Sequence, residues 1–358
     1  MAMNEARLQR VLAAMEQVGL EQIIVTSRSA VFYLTGVSLD PMERMLALYL
    51  NSRGDRILFG NKLFKLTPME GLRLVEHTDA GNPVEDLAKA LLPGKIGIDD
   101  NWRTQFLINL IELRPDVTPV HGSLPVQLTM MQKDETEREL MRVSSKLNDR
   151  CMDTVAKAIR GGLTELELMD VIVRFFKENG AQTSGFAIVA AGENGSDPHH
   201  VTCQDTIKEG DGIVFDIGAP LNGYWSDMTR TIFYKSVTEE QKKVYETVLA
   251  ANLAGIAAVR PGVPLKEIDG AARKVIEDAG YGEYFIHRTG HCIGMECHEA
   301  PSVGAEEETL AQPGMCFSIE PGIYLPGKFG VRIEDLVMVT EEGCEVLNSY
   351  PKELTVVG

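Results

Sequence analysis

The sequence predicts a two-domain α+β protein: a smaller α/β domain over residues 1–125, then a larger one over residues 126–358 in which helices mix with hairpins. Three observations predict it. Apolar periods alternate between strand and helix through the first third, capped amphipathic helices begin at Lys133, and carboxylates interrupt apolar, strand-like runs toward the C-terminus.

In chain order, Leu8, Val11, Leu12 and Met15 keep the helical period over 4–18, and Gly19 follows as a C-terminal cap. A strand is expected at Gln22–Thr26 and a short helix at Ala30–Leu34. Met45–Leu50 and Arg56–Phe59 then form a hairpin joined through Asn-Ser-Arg-Gly-Asp. Leu72–Glu76 (strand), Val84–Leu92 (helix), Lys95–Ile98 (strand) and Thr104–Leu113 (helix) complete an alternating pattern that ends near Leu124. In the second domain a charged helix runs from Lys133 to Ile159. Thr164-Glu-Leu-Glu167 is a capping-box sequence that opens a helix reaching Gly180, Thr238-Glu-Glu-Gln241 opens one that stops at Arg260-Pro-Gly, and another follows at Leu265–Ala279.

Composition bounds the function. A chain of 358 residues suffices for two domains, and a net charge of −17 argues against nucleic-acid or anionic-membrane partners while favouring cations. The six cysteines lack Cys-x-x-Cys spacing, which predicts reduced thiols. No apolar run approaches a membrane span and the start at Met1 lacks a signal-peptide pattern, so a cytoplasmic location is expected.

The chemistry concentrates in Asp216, Asp227, His291, Glu320 and Glu334. Asp216, Glu320 and Glu334 sit inside Ile-Val-Phe-Asp-Ile-Gly, Phe-Ser-Ile-Glu-Pro-Gly and Val-Arg-Ile-Glu-Asp-Leu-Val, which read as buried strands. An ionised carboxylate there is costly unless something pairs with it. The segments Ile213–Ile232 and Cys316–Val339 echo each other as acid, Gly, Gly, acid, and read as two related hairpins giving two carboxylates each. Four carboxylates and an imidazole suit two hard or borderline divalent ions, and such a pair supports hydrolysis. With no sulfur ligand needed, Mn²⁺ or Co²⁺ is at least as suitable as Zn²⁺. Salt bridges to buried arginines are the alternative reading. Strand alternation puts Arg332 and Glu334 on one face, where the guanidinium can orient or balance that carboxylate.

The runs around Asp216, Gly-Tyr-Trp-Ser-Asp227-Met-Thr-Arg-Thr, Gly-His291-Cys-Ile-Gly-Met-Glu-Cys-His298-Glu, Ser-Ile-Glu320-Pro-Gly-Ile-Tyr and Val-Arg-Ile-Glu334-Asp resemble the pita-bread metallopeptidases. Within that group they are most similar to the prolidase and Xaa-Pro aminopeptidase members. The resemblance covers the whole chain, and its first part is similar to the creatinase-like N-terminal domain. It implies a dinuclear hydrolase cleaving the Xaa-Pro bond, dipeptides first, with an Xaa-Pro aminopeptidase acting on longer peptides as the alternative and a non-peptidase C–N hydrolase or lyase of the same fold as a further one. It also implies a homodimer, with the five residues as metal ligands and Glu320 also as general base. It further implies that His199 assists the substrate or proton transfer, that His298 contacts the scissile peptide and that His287 lines a proline pocket. From the residues alone His199 reads equally as a neutral loop or core histidine.

Two departures bear on substrate. Arg288 stands where many members carry Gly in His-Gly-x-Gly-His, and Ser302 stands where many carry Arg in His-Glu-x-Pro-Arg. An arginine lost at one place and gained at another suggests a relocated anchor for a substrate carboxylate. The loop Asp40-Pro-Met-Glu-Arg44 resembles a prolidase loop that reaches a partner subunit's site, with Met42 replacing its histidine, so Asp40 and Arg44 are candidate substrate contacts. A solvated charged turn is the alternative.

Overall fold

The computed structural model describes residues 3–358; Met1 and Ala2, at the start read above, lie outside the described residues. The chain divides into two compact units, one ending at Met130 and the other running from Met131 to Gly358.

The first unit holds α1 (Glu5–Gln17), β1 (Gln22–Val25), α2 (Arg28–Thr35), β2 (Ala47–Asn51), β3 (Arg56–Asn61), β4 (Arg73–His77), α3 (Val84–Ala90), β5 (Gly94–Ile98), α4 (Thr104–Leu113), β6 (Val117–His121) and α5 (Leu124–Met131). Its six strands lie in the order β4-β3-β2-β1-β5-β6, with β2 antiparallel to both its neighbours and the outer pairs parallel. Asn4 caps α1 by accepting from the Arg7 amide, and Gly19 beyond its end adopts φ +70°, as a left-handed cap requires. Strand β6 and helix α5 escape the sequence reading. Pro119 argues against a strand unless the strand lies at an edge, and β6 is the edge.

The second unit opens with α6 (Glu135–Ala158) and α7 (Glu165–Glu178), capped by Asp134 and Thr164 through reciprocal boxes with Glu137 and Glu167. Strands β7 (Phe186–Ala191), β8 (Gly212–Gly218), β9 (Pro220–Leu221), β10 (Tyr224–Trp225) and β11 (Met228–Tyr234) follow. Then come α8 (Glu239–Ala258), α9 (Leu265–Asp278), β12 (Gly290–Cys292), β13 (Glu299–Val303), β14 (Cys316–Ile319), β15 (Gly322–Leu325), β16 (Phe329–Arg332), β17 (Asp335–Val339), β18 (Cys344–Val346) and β19 (Thr355–Val357). Two larger sheets result, β19-β11-β8-β7 and β13-β12-β14-β17-β18, with β9–β10 and β15–β16 as separate two-stranded ribbons. Leu168, Ile172 and Phe176, four apart on α7, pack with Leu147, Cys151 and Val155 of α6 against Phe215 and Ile217 of β8. Each such large side chain stabilises by roughly 1.5–3 kcal/mol when fully buried.

The echo between the two hairpins extends to the helices that precede them. Arg160-Gly-Gly162 and Arg260-Pro-Gly262 join the helix pairs, and Gly162, Gly262, Gly180 and Gly280 all take φ near +84° at matching places. Isolated bridges also match, Thr164 to Thr206 and Pro264 to Leu310. Each hairpin is broken into two ladders: β8/β11 continues into β9/β10, and β14/β17 into β15/β16. The breaks correct the sequence reading. Of the four acids only Asp216 lies within a strand; Asp227 precedes β11, and Glu320 and Glu334 occupy the gaps between ladders. At a gap the side chain is freed from strict alternation, which lets acids from both hairpins turn toward one point.

Candidate metal centre

The two hairpins meet through backbone and hydroxyl contacts. The Glu334 amide donates to the Thr229 carbonyl (3.0 Å), and Thr231 Oγ1 bridges the amide and carbonyl of Arg332. Gly290 carries His291 into the same place: a Cβ at 290 would lie 1.9 Å from the Ser318 carbonyl oxygen, so only glycine lets β12 close on the neighbouring strand. Asp216, Asp227, His291, Glu320 and Glu334 therefore line one cavity of about 570 Å³.

Within it, Asp227 (3% exposed), His291 (3%) and Glu334 (2%) bring donor atoms within 4.8 Å of one another. Asp216 Oδ1, Asp227 Oδ1 and Glu334 Oε1 are buried without a hydrogen-bond partner. His291 Nδ1 lies 3.1 Å from the Cys292 carbonyl, which can only accept, so Nδ1 carries the proton. The Nε2 lone pair then faces Glu320 Oε1 at 3.4 Å and Asp227 Oδ2 at 3.8 Å. Burial first, and His298 beside it, push the imidazole down to about 3, so it is neutral and no ion pair with these acids forms. Burial raises Asp227 and Glu334 well above the carboxylate range, with repulsion from the neighbouring acids adding to it, and pushes Glu320 up to about 7. Lone pairs pointed at lone pairs among buried acids need either protons or cations between them. The donor set, all oxygen apart from one imidazole nitrogen, fits divalent cations.

Arg332 behaves differently from the sequence reading. Its Nη2 donates to Asp216 Oδ2 (2.6 Å), Nε to Thr229 Oγ1 and Nη1 to Tyr324 OH, so its partner is Asp216 rather than Glu334. The break before Glu334 explains this, since the two residues no longer share a strand face. Glu334 Oε2 instead accepts from Thr229 Oγ1 (2.7 Å). Tyr324 passes the chain on to His287 Nε2 (2.8 Å), whose Nδ1 donates to the Arg288 carbonyl; burial holds that imidazole down near 4.

His199, His287, Arg288 and His298 also line the cavity, with the His298 ring 4.0 Å from that of His291. Arg288 Nη1 donates to Ser302 Oγ (2.9 Å), so the two departures noted in the sequence touch each other across β12 and β13. Asp40 and Arg44 belong to the first unit, where Asp40 pairs with Arg28, and Arg44 grips Asp79 through two bonds of 2.9 Å. Sequence reasoning missed Thr229, Ser318 and Tyr324. Ser318 Oγ donates to Glu320 Oε1 (3.0 Å) and also receives the His291 amide. The available signal was period two: Ser318 and Glu320 flank Ile319, and Thr229 stands two beyond Asp227.

Residues 139–341 match the model of metallopeptidase family M24, and residues 7–127 match that of the creatinase/prolidase N-terminal domain. Among solved structures the chain is similar to a prolidase from Thermococcus sibiricus (33% identical, all of both chains, TM-score 0.92). It is similar to a dipeptidase from Pyrococcus horikoshii (34%, 98% of this chain and all of that one, 0.92). An Xaa-Pro dipeptidase from Bacillus anthracis is 30% identical over 98% of this chain and 99% of its own (0.90).

Proposed function

The chain belongs to metallopeptidase family M24, and on that premise we propose that it hydrolyses the Xaa-Pro bond, dipeptides first, with two divalent cations held by Asp216, Asp227, His291, Glu320 and Glu334. The observation that carries the metal requirement is the set of unpartnered buried oxygens on Asp216, Asp227 and Glu334 facing a neutral His291. When bound, the cations supply Lewis acidity toward water and the scissile carbonyl. Mn²⁺ or Co²⁺ suits the donor set best, and Zn²⁺ is compatible with it.

The protein's own part follows from its geometry. Glu320 Oε1 is held by Ser318 Oγ, which leaves Oε2 to take a proton from water and return it to the leaving nitrogen. Arg332 fixes Asp216, and Thr229 fixes Glu334, so neither acid turns away to solvent. His199 and His298, both on the cavity wall, bind the peptide beside the reacting bond. His287 is neutral and presents an apolar edge for the proline ring. Arg288, steered by Ser302, is the cation for the substrate's terminal carboxylate, and it supports the dipeptide reading. Similarity over full length to a prolidase and an Xaa-Pro dipeptidase supports the same reading. Asp40 and Arg44 stay proposed substrate contacts from the first unit, in a proposed cytoplasmic homodimer; among the described residues no helix is long and apolar enough to cross a membrane.

An Xaa-Pro aminopeptidase with the same cavity is the second reading, favoured by the exposed position of Arg288. Turnover of an Xaa-Pro panel with and without added Mn²⁺ tests the proposal. Mn²⁺-dependent cleavage of Ala-Pro, with Ala-Ala poorly used, is expected. Faster turnover of Ala-Pro-Ala would replace the dipeptidase reading with the aminopeptidase one.

A further inference from the structure

Beside Glu167 in the capping sequence of α7 stands Glu165, which takes no part in the cap. It is fully buried, and both its oxygens are taken. Oε1 accepts from the Ala191 amide (2.8 Å) and Asn194 Nδ2 (2.9 Å), and Oε2 accepts from His200 Nε2 (2.7 Å) and the Cys203 amide (3.0 Å). A carboxylate only accepts, so His200 Nε2 is the donor. These four donors come from both ends and the middle of the segment 191–203, which contains the turn Gly192–Ser196 and presents Pro198 and His199 to the cavity. The turn is seated from its other side by Gly195, whose carbonyl oxygen lies where a Cβ on Gly330 would be.

The second half of the unit repeats the device. Asp269 of α9 (1% exposed) accepts from the Thr289 amide and from Arg273, and Arg273 donates to the carbonyls of Phe285 and His287. In each half a buried acid on the second helix holds the loop that brings a histidine to the cavity wall. Glu165, His200 and Cys203 also bring ligand-type atoms within 4.8 Å of one another, but a carboxylate already saturated by four N–H donors has no lone pair to spare for a cation.

We propose that Glu165 and His200 form a buried clamp that positions His199 for catalysis, so that both are positioning residues for a reaction whose reacting atoms they never touch. The proposal rests on the reading of His199 as the residue that assists substrate or proton transfer. An ångström of displacement of such a group is enough to lower turnover on the order of 10²-fold.

The test is a double-mutant cycle in the Mn²⁺-loaded full chain with an Xaa-Pro dipeptide, using Glu165→Gln, His200→Ala, His199→Ala and the pairs with His199→Ala. Glutamine at 165 keeps the shape but points an NH₂ group at two N–H donors. Metal content and circular dichroism report on the metal site and the fold. The expected result is a fall in kcat of roughly ten- to a hundredfold for Glu165→Gln, with KM changed less than about threefold, metal stoichiometry kept, and less than a twofold further loss in the His199→Ala background. Should Glu165→Gln fail to fold, His200→Ala, on a part-exposed loop residue, carries the same expectation. Full turnover in folded Glu165→Gln and His200→Ala while His199→Ala is impaired overturns the clamp and leaves the role of His199 standing. Full turnover in His199→Ala overturns both. Losses that multiply independently of His199 also overturn the clamp.

Discussion

Glu334 and Asp335 are neighbours in the chain and equally buried, yet they live under opposite electrostatics. Asp335 accepts from Arg230 Nη2 (2.8 Å) and Lys352 Nζ (2.5 Å). Burial pushes its carboxyl up, but Arg230 and Lys352 together overcome that and hold it below the usual range. Glu334 has one hydroxyl partner, an orphaned Oε1, and three acids as company, and its carboxyl is raised well above the range by burial and then by Asp227. The first is an acid whose counter-charge belongs to the fold. The second is an acid whose counter-charge is missing from the chain, which is how a cation site differs from a salt bridge.

Exchanging the two should exchange the phenotypes. Asp335→Asn leaves Arg230 buried with less compensation and is expected to cost about 3–5 kcal/mol by denaturant unfolding, with metal stoichiometry retained. Glu334→Gln should leave the metal-free protein at least as stable as the wild type. It should also weaken metal binding by more than the roughly 100-fold that loss of an outer hydrogen-bond partner costs a metal site. Glu320→Gln sharpens the contrast within the cavity: kcat is expected to fall on the order of 10²–10⁴-fold with the fold intact. Near-normal turnover would remove Glu320 from the proton path.

Arg332→Met separates positioning from ligation. Asp216 would keep its oxygens but lose its 2.6 Å guanidinium contact, and metal affinity by titration calorimetry should drop about 10–100-fold.

The pH dependence of stability carries the same contrast in sign. Glu320 rises from about 4.3 in the unfolded chain to about 7 when folded, and Asp227 and Glu334 move the same way. Folded protein then holds more protons than unfolded, so the Tm of chelator-treated protein should fall as pH rises from about 5 to about 7. Asp335, shifted down, contributes stability that is present above about 3.9 and is lost as pH falls below it. Metal loading should flatten the upper slope and leave the lower one unchanged. The smallest effect is at the cavity mouth: Arg288→Ala is expected to raise KM for Ala-Pro roughly tenfold and for Ala-Pro-Ala much less. Equal increases would reject the anchor.

Sequence alone singles out Glu334 but gives no account of Asp335, because its partners, Arg230 and Lys352, are far off in the chain and meet it only through the fold. It could count awkward acids in apolar runs, and the five residues singled out that way line one cavity in the fold. It misjudged Arg332, since a ladder break between Pro321 and Ile333 leaves no mark in hydropathy. Strand β6 was hidden by Pro119, legible only once the sheet order makes it an edge. The helices were easier, because Asp134, Thr164 and Thr238 carry their caps in the local sequence. Glu165 was invisible for the converse reason: beside a capping glutamate it reads as surface charge, and its four donors come from a loop 26–38 residues away.

The two-cation centre stands most directly on metal stoichiometry. Elemental analysis of purified protein equilibrated with Mn²⁺, run beside Glu334→Gln and Asp335→Asn, is predicted to find two ions per chain in the wild type and in Asp335→Asn, and clearly fewer in Glu334→Gln. Fewer than one ion per wild-type chain, or equal loading of Glu334→Gln, would contradict it.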